Sequence, residues 1–386
     1  MHTRTADRID RIPQSGIREI FDQAQELDQI WDLSIGEPDF ATPTPILESV
    51  TDELDEGATH YTETLGRLSL RERIADKLAE DNGIRANPLE EVIVTAGAME
   101  ALFTALTVIC DPGDEVLVPA PYWPNYEGQI RSTGAALKPI ETTAENDFVP
   151  QPKELEAAIS SDTAVVLLNS PANPTGSVID SETMAKLGDR IVENDLFCIM
   201  DETYEKLVYD GATHHSLAST PALFDRTVSI FSFSKSYAMT GWRVGYATGP
   251  SDIIDAMRVL QEHIVSCAAE PAQAAAEAAL DQPAAAERIH DRFAERREVM
   301  VSRLDAVPGV SATAPDGAFY VFADVSERSG TSRDIVEQLL TDAHVAAVPG
   351  SVFGPGGEGY VRFSYATDAE TIETAVNRIS AAFERK

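Results

Sequence analysis

Lysine is scarce in this 386-residue chain, which has 7 lysines against 23 arginines. Basic residues as a whole are few, because 30 lysines and arginines face 64 aspartates and glutamates, giving a formal net charge of −34. A field of that sign repels nucleic-acid phosphates and disfavours a nucleic-acid-binding function. The acidic excess also predicts a halophilic protein, since concentrated salt screens self-repulsion; an unusually acidic protein from an ordinary habitat is the alternative.

Long apolar runs and cysteine motifs are also missing. No stretch of eighteen or more apolar residues occurs, so no membrane span is expected. The N-terminal residues contain no apolar segment typical of a signal peptide. Cys110, Cys198 and Cys267 lie far apart without a CxxC or Cys/His pattern, which predicts buried thiols rather than disulfides or metal ligands. These features together predict a cytoplasmic protein.

Apolar strand candidates alternate with helical patterns or long connections through the middle of the chain. Near-continuous apolar strands of this kind predict an α/β fold with a mostly parallel sheet covered on both faces. The candidate strands are residues 91–94, 115–119, 164–169, 196–201, 227–233 and 243–249.

The two ends of the chain differ from this middle part. Helical patterns cover 14–30, 45–56 and 67–82, with Gly83 as a stop, and later 271–288, 289–305 and 368–385. Strand patterns near the end cover 317–325, 345–350 and 360–366. We therefore predict a large α/β domain over residues 45–280 and a smaller α+β domain built from residues 1–44 and 281–386.

Polar or aromatic residues follow five of the predicted strands, and ligands of open α/β sheets bind at the carboxyl ends of strands. Each segment alone has a purely structural explanation, as a steric turn, an aromatic core or a helix N-cap. Together they offer a phosphate-binding turn, an aromatic face, a buried carboxylate and a lysine. The segments are TAGAMEAL (95–102), PAPYWPNY (119–126), SPANPTG (170–176), DETY (201–204) and SFSKSYAMTGWR (232–243).

Lys235 stands in a serine-rich turn after a buried strand, where its amine can act as a nucleophile. Burial and nearby cations lower a lysine pKa, which Schiff-base formation requires. A pyridine-type cofactor needs a carboxylate to keep its ring nitrogen protonated, and Asp201 closes an apolar strand. Its phosphate needs helix N–H groups, hydroxyls and an arginine. Pyridoxal phosphate meets all four demands.

Five motifs, in this order, resemble the class I aminotransferases among the fold-type I pyridoxal-phosphate enzymes, and in particular their prokaryotic aspartate/aromatic branch. The motifs are GEPDF, TAGAMEAL, NPTG, DETY and SFSKSYAMTGWRVGY, and the similarity extends over essentially the whole chain. The resemblance implies an amino acid:2-oxo acid aminotransferase with a ping-pong mechanism, with 2-oxoglutarate as acceptor. It also implies a homodimer with active sites at the subunit interface.

The same resemblance implies roles for individual residues. Lys235 would form the Schiff base and later move the Cα proton, and Asp201 would pair with the pyridinium nitrogen. Tyr204 and Asn173 would hydrogen-bond the phenolic oxygen, and Trp123 would stack on the ring. The implied phosphate contacts are Gly97, Ala98, Met99, Ser232, Ser234 and Arg243, together with Tyr61 acting in the neighbouring subunit.

Substrate contacts follow from the resemblance as well. Arg362 would grip the substrate α-carboxylate, because guanidinium and carboxylate form a bidentate pair. Gly36 would bring backbone close to the substrate, and Trp123 and Asn173 would also contact it. By the same resemblance, Met99 stands where aspartate-preferring members carry a lysine, which weakens a strict preference for aspartate and leaves aspartate, aromatic and broad donors open. Candidate pocket residues are Tyr122, Tyr126 and Phe21, with a place in the core as the equal alternative for each, and candidates for a distal carboxylate are His60, Arg18 and Arg67.

Three alternatives remain beside transamination. A β-lyase uses the same cofactor and core, and sequence does not show which bond at Cα is broken. A nicotinamide-dependent dehydrogenase would carry GxGxxG after its first strand, and this chain does not. A regulatory protein on this fold would need an added DNA-binding domain, for which the chain has neither length nor a basic patch.

Overall fold

The apolar runs in the middle of the sequence form one seven-stranded sheet. The structure is a computed structural model that describes residues 9–14, 16–25, 27 and 29–384. The strands of the sheet are β2 (Val92–Thr95), β3 (Glu115–Ala120), β4 (Ala136–Glu141), β5 (Thr163–Asn169), β6 (Phe197–Asp201), β7 (Thr227–Ser232) and β8 (Gly245–Thr248). A short preceding strand, β1 (Trp31–Asp32), lies outside this sheet.

The sheet has the strand order β2-β8-β7-β6-β5-β3-β4. Strand β8 is antiparallel to both of its neighbours, and all other neighbouring pairs are parallel. The predicted mostly parallel sheet is therefore confirmed. Strand β4 was not predicted, because this edge strand contains Lys138 and Pro139 and is only partly buried.

Helices cover both faces of the sheet. The helices before, between and directly after its strands are α2 (Thr44–Asp55), α3 (Leu68–Lys77), α4 (Ala98–Ile109), α5 (Asn125–Thr133), α6 (Pro152–Ala158), α7 (Ser181–Glu193), α8 (Pro221–Phe224), α9 (Phe233–Ser236), α10 (Ser251–Ile264) and α11 (Glu270–Leu280). Val165 and Leu167 of β5 pack in the same hydrophobic cluster as residues of α4 and α10. Val166 and Leu168 point to the other face and pack with residues of α7.

A second, three-stranded antiparallel sheet is built from the end of the chain. Its order is β11 (Val348–Pro349), β12 (Tyr360–Ser364) and β9 (Tyr320–Asp324). Strand β1 pairs in parallel with β10 (Val345–Ala346) and so joins the two ends of the chain. The helices of this region are α1 (Gly16–Gln25), α12 (Pro283–Asp305), α13 (Ser332–Gln338) and α14 (Ala369–Glu384).

Residues from both ends of the chain share one hydrophobic cluster. Ile20 and Leu33 of the N-terminal part pack there with Phe293, Val361 and Ile379 of the C-terminal part. Tyr204 and Leu207, from the middle of the chain, pack in the same cluster. The small domain built from both ends, with boundaries near residues 45 and 280, remains a prediction.

Two helix predictions near the domain boundary were wrong in their division. Residues 271–288 and 289–305 were expected to form separate helices, but α11 ends at Leu280 and α12 runs unbroken from Pro283 to Asp305. Pro283 lacks an N–H group and suits the first position of a helix, so the break falls before it. Gly83, with a φ of 67°, ends the helical stretch after α3 as predicted.

The first helix and one of the three cysteines differ from the predictions. Helix α1 is shorter than the predicted 14–30, of which residues 15, 26 and 28 lie outside the described part. Cys110 and Cys198 are buried as predicted, whereas Cys267 is only half-buried. Within the described residues, no helix has the length and apolar character needed to cross a membrane.

Candidate active site

The carboxyl ends of five strands of the large sheet open into one cavity of about 580 Å³. A volume of this size suits a ligand as large as a cofactor. The predicted site residues that line the cavity are Gly36, Ala98, Met99, Trp123, Asn173, Asp201, Tyr204, Ser232, Ser234, Lys235, Arg243 and Arg362. Gly97 and Tyr61 are the two predicted residues that do not line it.

Lys235 lies in α9, the short helix that follows β7, and its amine reaches the cavity. Its Nζ donates a hydrogen bond to the carbonyl oxygen of Gly36. Burial lowers the pKa of Lys235 to about 8, and the positive charges of Arg243 and Arg362 add to the effect against Glu37 and Asp201. Near physiological pH more of this amine is therefore neutral than in a free lysine, and the neutral amine is the nucleophile.

Asp201 is the last residue of β6, and its carboxylate is buried at the cavity wall. Its Oδ2 accepts a hydrogen bond of 2.7 Å from the Tyr126 hydroxyl, and Oδ1 accepts one of 3.1 Å from the Thr203 N–H. Burial raises the pKa of Asp201, and these two donors oppose the rise. A cation in the cavity would stabilise the ionised carboxylate, which fits a protonated ring nitrogen.

A small concave surface suited to an anion lies at the start of α4. Gly97 precedes this helix with a φ of 82°, and a Cβ built there would lie 2.5 Å from Nη2 of Arg243. The guanidinium therefore lies directly against the glycine. Ser232 Oγ accepts a hydrogen bond of 3.1 Å from the N–H of Ser234 at the start of α9. The glycine turn, helix N–H groups, hydroxyls and arginine fit a phosphate.

Arg362, on β12, also lines the cavity and is 1% exposed. Its Nη1 donates to Asn173 Oδ1 at 2.9 Å, and its Nη2 donates to the Ser34 carbonyl at 2.6 Å. Its Nε has no hydrogen-bond partner among the described residues. A buried guanidinium with an unused donor fits the binding of a carboxylate.

Tyr204 and Asn173 reach the cavity, and the side-chain oxygen of each already has one partner within the protein. The Tyr204 hydroxyl lies 2.9 Å from the Tyr320 hydroxyl, and Asn173 Oδ1 accepts from Arg362. Trp123 packs edge-to-face against Tyr126 with ring centroids 5.4 Å apart. The predicted contacts of these side chains with a cofactor remain predictions.

Tyr61 and some of the pocket candidates lie elsewhere. Tyr61 is 88% exposed, and its predicted role in a neighbouring subunit remains a prediction. Phe21 and Tyr126 line the cavity as expected, whereas Tyr122 does not and packs close to Gly354. The Tyr122 ring is buried and fills the space beside this glycine, so of the two predicted alternatives the structure favours a place in the core.

The three candidates for a distal carboxylate have separate positions. Arg18 lines the cavity. Arg67 pairs with Glu53 instead, and the His60 N–H donates to Glu270 at 2.6 Å. Only Arg18 therefore remains a candidate within the described cavity wall.

Two cavity residues have contacts that the sequence did not reveal. The sequence predicts Tyr126 only as an apolar pocket or core residue, but its hydroxyl donates a hydrogen bond to Asp201. Tyr320, on β9, lines the cavity although no sequence motif marks it. It pairs with Ser364 across the small sheet, and this register brings it to the same face as Arg362. No local pattern in GAFYVFADV indicates that register.

Comparison with known proteins agrees with this geometry. Residues 28–379 match the family described as aminotransferase class I and II. The chain is 39% identical to an aspartate aminotransferase of Pyrococcus abyssi, over 99% of this chain and 98% of that protein. It is 37% identical to aromatic-amino-acid aminotransferase 2 of Thermococcus litoralis, over 99% and 98%.

Solved structures give the same result for the fold. Pyrococcus protein-A1 superimposes with a TM-score of 0.96 at 39% identity, covering 98% of each chain. The Thermus thermophilus aspartate aminotransferase with maleate superimposes with a TM-score of 0.94 at 36% identity, covering 99% of this chain and all of that one. The fold is thus that of the pyridoxal-phosphate aminotransferases. The chain belongs to the class I and II aminotransferases, a family that generally depends on pyridoxal phosphate, and is an amino acid aminotransferase.

Proposed function

We propose that this protein transfers the amino group of an aspartate, aromatic or broader range of L-amino acids to 2-oxoglutarate by a ping-pong reaction with pyridoxal phosphate. The observation that carries the proposal is a single cavity that holds Lys235, Asp201 and Arg362. A lysine with a pKa of about 8 supplies the nucleophile and base, the carboxylate holds a ring cation, and the arginine holds the substrate carboxylate.

The residues of the site divide the work among them. When bound, pyridoxal phosphate would supply an electron-withdrawing ring that makes the Cα–H bond of the substrate acidic. The neutral Lys235 amine would take the proton from the substrate Cα, and Arg362 would orient the α-carboxylate for this transfer. Asp201 would keep the ring nitrogen protonated, and the hydrogen bond from Tyr126 orients Asp201. The turn at Gly97, with Arg243, would hold the phosphate.

The cavity wall supports a donor range that includes aromatic side chains. Apolar and aromatic groups line it around Ile17, Phe21, Met99 and Trp123. Met99 Sδ is held by weak hydrogen bonds from amide groups and adds no charge, so this wall favours an apolar side chain.

Arg18 is our candidate for the second carboxylate of a dicarboxylic substrate. Lys235, Arg243 and Arg362 have other proposed roles, which leaves Arg18 among the described cations of the cavity wall. It pairs with Asp22 at 2.9 Å, and its guanidinium lies 4.7 Å from the centre of the Phe21 ring. A carboxylate substrate would replace Asp22, whereas an aromatic side chain would lie against Phe21.

Arg18→Ala tests this assignment. We expect the KM for 2-oxoglutarate to rise about tenfold, the usual cost of one charged hydrogen bond, with the KM for phenylalanine within about twofold. Arg333→Ala is the matched control, because Arg333 pairs with Glu19 of the same helix at 3.3 Å without lining the cavity. Equal loss for both substrates would remove Arg18 from this role.

The proposed reaction is tested on protein purified in high salt and reconstituted with pyridoxal phosphate. Wild type should show a visible absorption band that changes with particular amino acids and release one equivalent of 2-oxo acid when no acceptor is present. Lys235→Ala should lose the amino-acid response, whereas the exposed control Lys186→Ala should keep it. Repeated release of pyruvate and ammonia without an acceptor would identify a β-lyase instead.

We also propose that the protein is a cytoplasmic homodimer adapted to salt. Tyr61 supports the dimer, because a tyrosine that is 88% exposed is available for a neighbouring subunit. Three free cysteines are consistent with a reducing compartment, and the net charge of −34 is consistent with a saline one. Sedimentation of wild type and Tyr61→Ser across a dilution series tests whether the protein is a dimer. If the Tyr61 side chain reaches the phosphate of the neighbouring subunit, Tyr61→Ser should also bind pyridoxal phosphate more weakly.

A further inference from the structure

Tyr320 is a fully buried tyrosine that connects two functional groups of the cavity. It is the first residue of β9 in the small sheet, is 1% exposed and lines the cavity. Its hydroxyl and its ring each meet a different partner. The hydroxyl faces the large sheet and the ring faces β12.

The Tyr320 hydroxyl lies 2.9 Å from the Tyr204 hydroxyl, and the two rings pack edge-to-face with centroids 5.9 Å apart. Tyr204 follows β6 by three residues, so this contact joins the two sheets. Burial raises the pKa of both tyrosines, so both keep their protons at neutral pH. Each hydroxyl can therefore donate one hydrogen bond and accept others.

The Tyr320 ring lies against Arg362. The guanidinium carbon is 4.3 Å from the ring centroid, within the range of a cation–π contact. This ring face holds the guanidinium from one side, while Asn173 and the Ser34 carbonyl hold two of its nitrogens.

Gly36 permits the hydroxyl to come this close. A Cβ built on Gly36 would lie 2.2 Å from the Tyr320 oxygen, so any larger residue would displace it. The Gly36 carbonyl accepts from Lys235, which places the tyrosine beside the backbone that holds the lysine.

We propose that Tyr320 is a positioning residue that couples the two halves of the site, holding the Tyr204 hydroxyl with its own hydroxyl and the Arg362 guanidinium with its ring. The inference rests on the proposed function. When Tyr204 donates its one proton into the cavity, Tyr320 donates to Tyr204 and makes it the stronger donor. The same residue fixes the guanidinium that receives the substrate carboxylate.

Other ionisable groups surround this pair and stay the same in the variants below. Arg362 and Asp201 act on Tyr204, and Glu37, Arg243, Arg362 and Asp201 act on Lys235. A change seen on removing only the Tyr320 hydroxyl therefore reports that hydroxyl.

Two substitutions separate the two contacts. Tyr320→Phe keeps the ring and removes the hydroxyl, and Tyr320→Met fills similar space without a ring. The readouts, both on reconstituted holoenzyme, are the pH midpoint of its visible absorption band and the dissociation constant of 3-phenylpropionate, a carboxylic acid without an amino group. Tyr365→Phe is the control, because Tyr365 is equally buried, directly follows β12 and does not line the cavity.

We expect Tyr320→Phe to raise the pH midpoint of the absorption band by about 0.5 unit or more. Without the Tyr320 hydroxyl, Tyr204 would be a weaker donor and would stabilise negative charge on the cofactor's phenolic oxygen less well. The affinity of Tyr320→Phe for 3-phenylpropionate should stay within twofold of wild type. Tyr320→Met should show the same midpoint shift and, in addition, bind 3-phenylpropionate about fivefold to thirtyfold more weakly. Tyr365→Phe should change neither.

Several results would overturn the coupling. A midpoint in Tyr320→Phe equal to that of wild type removes the role of the hydroxyl, and unchanged affinity in Tyr320→Met removes the role of the ring. Should Tyr320→Met fail to fold, Tyr320→Leu replaces it under the same criteria. A wild type that forms no visible band refutes the proposed function itself, and with it this inference. If wild type responds to amino acids but the Tyr320 variants match it in both the pH midpoint and the affinity for 3-phenylpropionate, only the inference is refuted.

Discussion

At the residue scale, Lys77 and Glu205 form an ion pair beside the site, with side chains only 11% and 12% exposed. Asn82 connects to both, accepting from Lys77 Nζ at 2.7 Å and donating to Glu205 Oε2 at 2.8 Å. Burial lowers the pKa of Lys77. Burial favours the neutral acid of Glu205, but the charges of Lys77 and His214 and the hydrogen bonds from Lys77 and Asn82 together outweigh burial and lower the pKa of that carboxyl.

Glu205→Gln should destabilise the protein by about 3 kcal/mol, because it leaves a desolvated ammonium without its counter-charge. Lys77→Met combined with Glu205→Leu should cost less stability than the sum of the two single variants, because the double variant leaves neither charge unpaired. The measurement is the free energy of unfolding in urea of Lys77→Met, Glu205→Leu and the double variant. Simple addition of the two single effects would show that the two charges do not interact.

The same pair predicts a pH dependence. Since the folded-state pKa of Glu205 lies below the value of 4.5 for the free side chain, its contribution is complete above that pH. It is lost as the pH falls through the lower folded-state value, where both states become protonated. Glu205→Gln should therefore lose less stability than wild type between about pH 5 and pH 3.

At the scale of elements, the turn between β2 and α4 shows how backbone conformation creates a binding surface. Gly97 has a positive φ, and its lack of a side chain leaves room for Arg243. Gly113 also has a positive φ, of 106°, but a Cβ there would meet nothing within 4 Å. A side chain would therefore strain the backbone at both glycines, but only at Gly97 would it also clash with a neighbouring side chain.

Gly97→Ala and Gly113→Ala should each cost about 1–3 kcal/mol of stability, because alanine is strained at positive φ. Only Gly97→Ala should also weaken binding of pyridoxal phosphate, by at least about tenfold, since the new methyl group displaces the Arg243 guanidinium. Titration of the cofactor-free proteins with pyridoxal phosphate measures the effect. Equal affinities in the two variants would argue against a phosphate at this turn.

At the scale of the whole molecule, the charge of −34 is spread over a surface of 16871 Å². Ion pairs do not neutralise it, because 64 acidic residues exceed 30 basic ones. Raising the salt from 0.1 M to 1 M shortens the screening length from about 10 Å to about 3 Å. Repulsion between distant carboxylates then falls, and the folded state gains most because its charges are closest together.

We expect the thermal midpoint to rise by about 5 °C or more between 0.1 M and 2 M KCl. Glu287, Glu295 and Glu298 are exposed on α12 and form no ion pair among the described residues. Their combined replacement by glutamine should raise the midpoint at low salt and reduce its salt dependence. A midpoint that does not respond to KCl would contradict adaptation to salt.

Most of the central strands, and the order of the polar segments that follow them, can be predicted from the sequence. Apolar runs, glycine turns and the residues next to a strand end are local features, so they can be read without knowing the fold. Lys235 can be predicted from its place after β7 and Asp201 from its place at the end of β6, because parallel strands bring such ends to one edge of the sheet.

Which distant residues meet in the cavity depends on the tertiary structure. Tyr126 and Asp201 are 75 positions apart, Tyr204 and Tyr320 are 116 apart, and Arg362 and Asn173 are 189 apart. Such contacts depend on strand register and on how the two sheets pack, and a shift of one residue turns a side chain to the opposite face. Tyr320 is therefore recognisable as part of the site only after β9 and β12 have paired.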